Sequence, residues 1–121
     1  MESNPDFSDV TVSERPKNQY MKAEVVNVTM GTRQEVYDLD EDSELEYGDL
    51  DDQIVQIEAL AEYKGNEFTI YENIRFYENP SDRSRFGQYI NEYGTPEKEQ
   101  EVQVNFDNEG NGQIANIRKD M

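Results

Sequence analysis

The chain has 121 residues, room for one domain with one modest core, and it carries no apolar run long enough to span a membrane. Its 28 acidic residues against 11 basic ones leave a formal charge of −17, a field that repels nucleic acid and anionic membrane and draws in basic partners or cations. With no Cys and no His there is no disulfide, thiolate nucleophile, sulfur or imidazole metal ligand, or side chain with an unperturbed pKa near neutrality.

Apolar residues make up only 34%, yet eight Tyr and five Phe recur at regular spacing, which argues for a folded unit. A soluble, cytoplasmic protein without a signal leader is the expectation. Residues 1–18 lack a persistent period and carry Pro5 and Pro16 near their ends. They read as a flexible N-terminal arm, to which Val10 and Val12 could lend a short strand. A single acidic barrel domain is expected over 19–119.

From Tyr20 to Met30 the alternation changes phase. Met21, Ala23 and Val25 share one parity, and Val26, Val28 and Met30 share the other. A bulge in mid-strand reconciles the halves, as does a pair of overlapping short strands. Gly31-Thr32 ends this strand, and Val36 and Leu39 suggest an extended hairpin. Residues 38–52 then read DLDEDSELEYGDLDD, nine acids in fifteen residues, an acidic loop. No Lys or Arg occurs between Gln34 and Tyr63, so that interval alone holds −12 of the −17. Leu45, Tyr47 and Leu50 punctuate the acids as tethers to the barrel or as exposed contact residues.

Two strands follow, one with Val55, Ile57, Ala59, Ala61 and Tyr63 on a face, the next with Phe68, Ile70, Glu72, Ile74 and Phe76. A turn centred on Gly65-Asn66 would pair Tyr63 with Phe68, Ala61 with Ile70 and Val55 with Phe76. Only Glu72 breaks the apolar face, which predicts a rim position or a bulge there. Asn79-Pro80-Ser81-Asp82 is a breaker that offers two helix N-caps. Phe86, Tyr89, Ile90 and Tyr93 then form one helical stripe, closed by Gly94 and Pro96. Gly87 within it marks either close backbone approach or tolerance of a weak helix former. Val102, Val104 and Phe106 alternate as a strand. A turn and a slack Gly112 follow, with Ile114, Ala115 and Ile117 as a last short strand.

Strand, acidic loop, strand, strand, helix, strand, strand resembles the connectivity of the oligonucleotide/oligosaccharide-binding (OB) barrel. The fold class expected is therefore mostly β, or α+β: a small five-stranded antiparallel barrel with one short helix.

The focused acidity supports a non-enzymatic role in protein contact. Carboxylates spaced along a scaffold imitate the phosphate row of DNA and could occupy or inhibit a basic, DNA-binding protein. Glu35, Asp38, Asp40, Glu41, Asp42, Glu44, Glu46, Asp49, Asp51 and Asp52 would carry the contact. The plainer account is solvated charge, or a structural protein of a halophile or its virus. Low Lys supports salt adaptation, while eleven Asn and seven Ile do not.

A single-stranded nucleic-acid-binding module adapted to high salt is the rival, with Tyr71, Arg75, Tyr77, Arg83 and Arg85 supplying stacking and charge. The acidic loop next to that cleft opposes it. For Arg75 the bland account is a cross-strand pair with Gln56 near Glu58, and for Arg83 and Arg85 it is solvated helix-surface charge. Asp38, Asp40, Asp42 and Glu44 imitate the opening of a calcium loop, but Ser43 stands where Gly is needed and Asp49 where a bidentate Glu is needed. No metal or other cofactor is expected. Paired carboxylates suit a glycosidase, yet among 28 acids some pair is always at hand, so they carry no catalytic signal. The tyrosine-rich outer faces would equally serve a homodimer.

Overall fold

The change of phase in the first strand is what curls the sheet. A computed structural model describes residues 14–118, and in it β1 runs over Gln19–Thr32. Its first half pairs antiparallel with β4 (Glu101–Phe106), from Gln19 opposite Phe106 to Glu24 opposite Glu101. Its second half pairs with β2 (Gln53–Tyr63), from Glu24 opposite Leu60 to Thr32 opposite Gln53. The register slips between Val25 and Asn27, leaving Val26 as the extra residue of a bulge. Val25 also exchanges backbone hydrogen bonds with residues 99 and 100, which extends the β4 side of the ladder.

β2 continues into β3 (Asn66–Arg75), and β4 into the three-residue β5 (Gly112–Ile114), giving the order β3-β2-β1-β4-β5. A helix, α2 (Arg85–Tyr93), connects β3 to β4. This is a five-stranded, nearly closed antiparallel barrel with an OB-like order. Its interior holds Ala23, Val25, Ile57, Ala59, Ile74, Val102, Val104 and Phe106, all but inaccessible to water.

The β2–β3 hairpin differs from expectation by two residues. Its turn is Lys64-Gly65, both at positive φ (50° and 81°), the backbone of a type I′ turn. Tyr63 therefore faces Asn66, Ala61 faces Phe68, and Val55 faces Ile74. A shift of two preserves which face each side chain occupies, so the apolar set still points inward. Phe76 falls beyond the paired strand and packs instead on Phe86 of α2, ring centroids 5.4 Å apart.

Glu72 neither sits at a rim nor turns out. It lies opposite Ile57 inside the barrel, only 8% exposed. Oε1 accepts the Ile114 amide of β5 at 3.1 Å, and Oε2 accepts from Arg85 Nη2 of α2 at 2.6 Å. Arg85 also donates from Nη1 to the Asn73 carbonyl. One carboxylate thus ties β3, β5 and the helix together where no β3–β5 backbone ladder is recorded among the described residues. Partners on both Glu72 oxygens make a charge tolerable at this depth, while Arg85 Nε is buried without a partner of its own.

Ser84, rather than the breaker before it, caps α2. Its Oγ accepts the Gly87 amide at 3.0 Å and donates to the Ser81 carbonyl at 2.8 Å. A Cβ on Gly87 would collide with that carbonyl, so of the two readings of this glycine, close approach is the correct one. The stripe packs as expected, with Phe86 and Tyr89 buried and Ile90 and Tyr93 half-buried. Tyr89 donates to Gln100 Oε1 and Tyr93 to the Ala115 carbonyl, and burial raises the pKa of both phenols above its ordinary value. Gly94 ends the helix at φ 90°.

The last strand lies earlier than expected: it begins at Gly112, a packing residue rather than slack, and ends at Ile114, so Ala115 and Ile117 fall beyond it. A Cβ on Gly112 would meet Ile70 and Phe106 at 2.9 Å. Of the arm, residues 1–13, including Val10 and Val12, lie outside the described residues. Within 14–18 Pro16 is buried, and Arg15 donates twice to the Gly110 carbonyl while lying over the Phe68 ring. Among the described residues no helix is long and apolar enough to cross a membrane.

Arg83 and Arg85 look alike in sequence but stand in different surroundings, and their substitutions separate accordingly. Arg85→Ala strands the Glu72 carboxylate and is expected to cost about 3–5 kcal/mol, whereas Arg83→Ala stays within about 0.5 kcal/mol. Urea unfolding midpoints measure both, and equal effects would contradict the role assigned to Glu72.

Candidate functional site

The acidic segment begins with a helix where a hairpin extension was expected. α1 (Arg33–Val36) is a single turn with Thr32 as N-cap. Glu35 N–H donates to Thr32 Oγ1 at 3.2 Å, while Glu35 Oε1 accepts both the Thr32 amide (2.9 Å) and its hydroxyl (2.8 Å). This reciprocal capping box satisfies donors that a helix start leaves bare. The Thr32-x-x-Glu35 spacing was the signal for it in the sequence. Hydrogen bonds from Thr32, backbone first and then side chain, hold the Glu35 carboxyl below its ordinary pKa.

The far end of the segment folds back onto the same turn. Arg33 N–H donates to the Asp52 carbonyl at 2.8 Å and Gln34 N–H to the Leu50 carbonyl at 2.9 Å. The Arg33 guanidinium reaches Asp52 Oδ2 at 2.6 Å and the Asp49 carbonyl at 3.0 Å. Asp52 Oδ2 also accepts the Asp49 amide at 2.9 Å, and its Oδ1 lies 3.4 Å from Arg75 Nη2. Gly48 (φ 79°) crosses directly against this knot, where a Cβ would run into the Arg33 guanidinium. The Asp49 amide, more than the flanking Arg33 and Arg75, lowers the Asp52 pKa against the opposing effect of burial.

Between these pinned ends the loop is built of short turns, with Leu39 N–H on the Gln34 carbonyl and Ser43 N–H on that of Asp40. Leu39, Leu45 and Leu50 are half-buried tethers, while Tyr47 is 82% exposed. Asp38, Asp40, Glu41, Asp42, Glu44, Glu46, Asp49 and Asp51 are all exposed. Of the ten acids singled out in sequence, eight therefore offer their carboxylates outward. Glu35 and Asp52 are committed to the cap and the knot.

The carboxylates that come together are not those of the calcium-like run. Asp49, Asp51 and Asp52 bring ligand atoms within 4.8 Å of one another. Both Asp52 oxygens already face guanidinium groups, so this cluster lacks a free three-carboxylate donor set.

Of the residues of the rival reading, Tyr71 and Arg75 share the outer face of β3, with Tyr77 under the Arg75 guanidinium. Tyr71 is exposed on β3, its hydroxyl 3.5 Å from Glu58, the residue directly across the hairpin. Arg75 lies across from Ile54, bridges to Asp52 and stacks over Tyr77 at 4.7 Å, while Gln56 bonds Asn73 instead. Arg83 is exposed, and Arg85 is the partner of Glu72 rather than a solvated surface charge. Glu58, Glu62 and Glu67 share the outer strand surface with Tyr71, so it offers no cationic track for phosphates. No family model, curated protein or solved structure matches the chain.

Because the Glu35 and Asp52 pKa values are lower in the folded state than in the unfolded one, their stabilisation is complete above the unfolded value, about 4. It is lost as pH falls through the folded values. Asp52→Asn is expected to be less stable than the parent at pH 7 and to lose less on acidification, so the two stability curves converge below about pH 4. Parallel curves from denaturant titrations at a series of pH values would remove Asp52 from the anchor.

Proposed function

We propose that this barrel is a non-enzymatic interaction domain that presents the carboxylates of its β1–β2 connection to a basic protein, as a mimic of the DNA backbone. One observation carries the reading: eight exposed acids lie on a segment whose ends are knotted together by Arg33, Asp49 and Asp52. Fixed charges resist the collapse of field that a limp chain would allow, and they need little ordering when a partner docks. Their long-range attraction speeds encounter with a Lys- and Arg-rich surface and weakens as salt screens it.

Glu35 and Asp52 drop out of the contact set on this reading, because both already serve the fold. Direct binding of single-stranded nucleic acid has less support, since Arg75 and Arg85 are engaged by Asp52 and Glu72. Adaptation to a salty interior is a separate property, read from stability between about 0.1 M and about 3 M KCl.

The test is affinity capture from native host lysate at moderate salt, with the parent and with a variant carrying Asp38→Asn, Asp40→Asn, Asp42→Asn and Glu44→Gln. The parent is expected to retain a nucleic-acid-binding protein that competing DNA displaces, and the variant to retain much less of it with its fold unchanged. Equal capture by both proteins would rule this segment out as the contact.

A further inference from the structure

β3 is an edge of the sheet and is ten residues long, whereas β5, the strand that comes to lie beside it, has three. Gly112, where β5 begins, abuts Ile70, so the β3 residues ahead of Ile70 have no strand on that side among the described residues. An open strand edge is a weak point, because its backbone groups lack partners and offer themselves to another chain.

Residues 14–18 lie across this opening. Counting back from β1, the Asn18 amide donates to the Asp107 carbonyl at 3.0 Å, and Pro16 is fully buried. Arg15 then spans from one hairpin to the other. Its Nε and Nη2 donate to the Gly110 carbonyl in the β4–β5 turn at 3.0 and 2.9 Å, and its guanidinium lies 5.0 Å from the centre of the Phe68 ring on β3. A Cβ on Gly110 would come within 3.1 Å of Arg15, so this glycine leaves room for the side chain to lie against the turn. Glu14 completes the crossing by accepting from Lys64, in the β2–β3 turn, at 2.7 Å.

These contacts differ in weight. The Glu14 and Lys64 side chains are both more than half exposed, and such a pair contributes little. Arg15 makes two charge-assisted bonds to one carbonyl and covers an aromatic ring, so it is the stronger fastening. Further along the seam, Glu72 takes the Ile114 amide, the one hydrogen bond recorded directly between β3 and β5 among the described residues.

We propose that residues 14–18 form a releasable strap with Arg15 as its latch, and that freeing it opens the β3–β5 seam locally while the rest of the barrel stays folded. Glu72 alone then holds β5 against β3, and β5 itself pairs with β4 over only three residues. The long β1–β2 and β2–β3 ladders do not depend on the strap, which is why the opening stays local.

Native-state amide hydrogen exchange on the intact chain, followed by NMR for the parent, Arg15→Ala and Glu14→Gln, tests this. One reporter is the Ile114 amide, whose acceptor lies across the seam, and the other is the Phe76 amide, which donates to the Gln53 carbonyl at the far end of the β2–β3 hairpin. Arg15→Ala is expected to speed Ile114 exchange about five-fold and to leave Phe76 unchanged, while Glu14→Gln leaves both nearly unchanged. Arg15→Lys keeps the charge but loses the paired donation, so it falls between, and it is read in the same way if Arg15→Ala does not fold. Equal acceleration at Ile114 and Phe76 would reduce Arg15 to a contributor to global stability and overturn the strap. An unchanged Ile114 amide, or a Glu14→Gln effect as large as that of Arg15→Ala, would overturn Arg15 as the latch.

Discussion

A single buried carboxylate closes this barrel. β5 is only three residues long, too short to build a ladder against β3, and Glu72 spans the seam by taking the Ile114 amide on one oxygen and Arg85 on the other. The position of α2 follows from the same bond, because Arg85 is its first residue. Phe76, freed from the hairpin, then meets Phe86, and the tyrosines at the other end of the helix reach the β4–β5 side. A chain of this length has room for only one modest core, so this polar clamp sets the arrangement alongside hydrophobic packing.

The same economy recurs at the opposite extreme of polarity. An acidic loop gains little from a core and repels itself, and it keeps a shape here because two acids, Glu35 and Asp52, are engaged in hydrogen bonds that organise the rest. Glu35 starts a helical turn, and Asp52 gathers Arg33, Arg75 and the Asp49 amide. Arg33 immediately precedes the cation-free interval and Arg75 reaches Asp52 from β3, so the local excess of negative charge is held at its margins. Lattices of this kind let a chain carry dense charge without becoming disordered. Function and stability consequently draw on different acids within one stretch of sequence.

Much of the architecture was legible because periodicity survives small errors. The phase change from Val25 to Val26 located the bulge, and strand parity assigned inward faces even though the hairpin register was two residues off. Register itself depends on which positions take positive φ, and Lys64 gives no hint of that in sequence. The fate of Glu72 was illegible for a related reason: its partner Arg85 lies thirteen residues on and comes near only after the helix packs. At the site, composition revealed where the charge gathers but not which carboxylates are spent internally. The capping box has a local signature, Thr32-x-x-Glu35, that the expectation of a hairpin extension passed over, whereas the Asp52 knot joins residues from β1–α1, the loop and β3 and has none.

The central claim is that the acidic segment is held in shape by its two ends, and amide hydrogen exchange tests it most directly. The Arg33, Gln34 and Asp49 amides, which donate to Asp52, Leu50 and Asp52 respectively, should exchange much more slowly than an unstructured chain at pH 7. Asp52→Asn should release Asp49 first. Exchange of all three at the unprotected rate in the parent protein would mean that the carboxylates hang on a loose chain, and the account of this surface would fall.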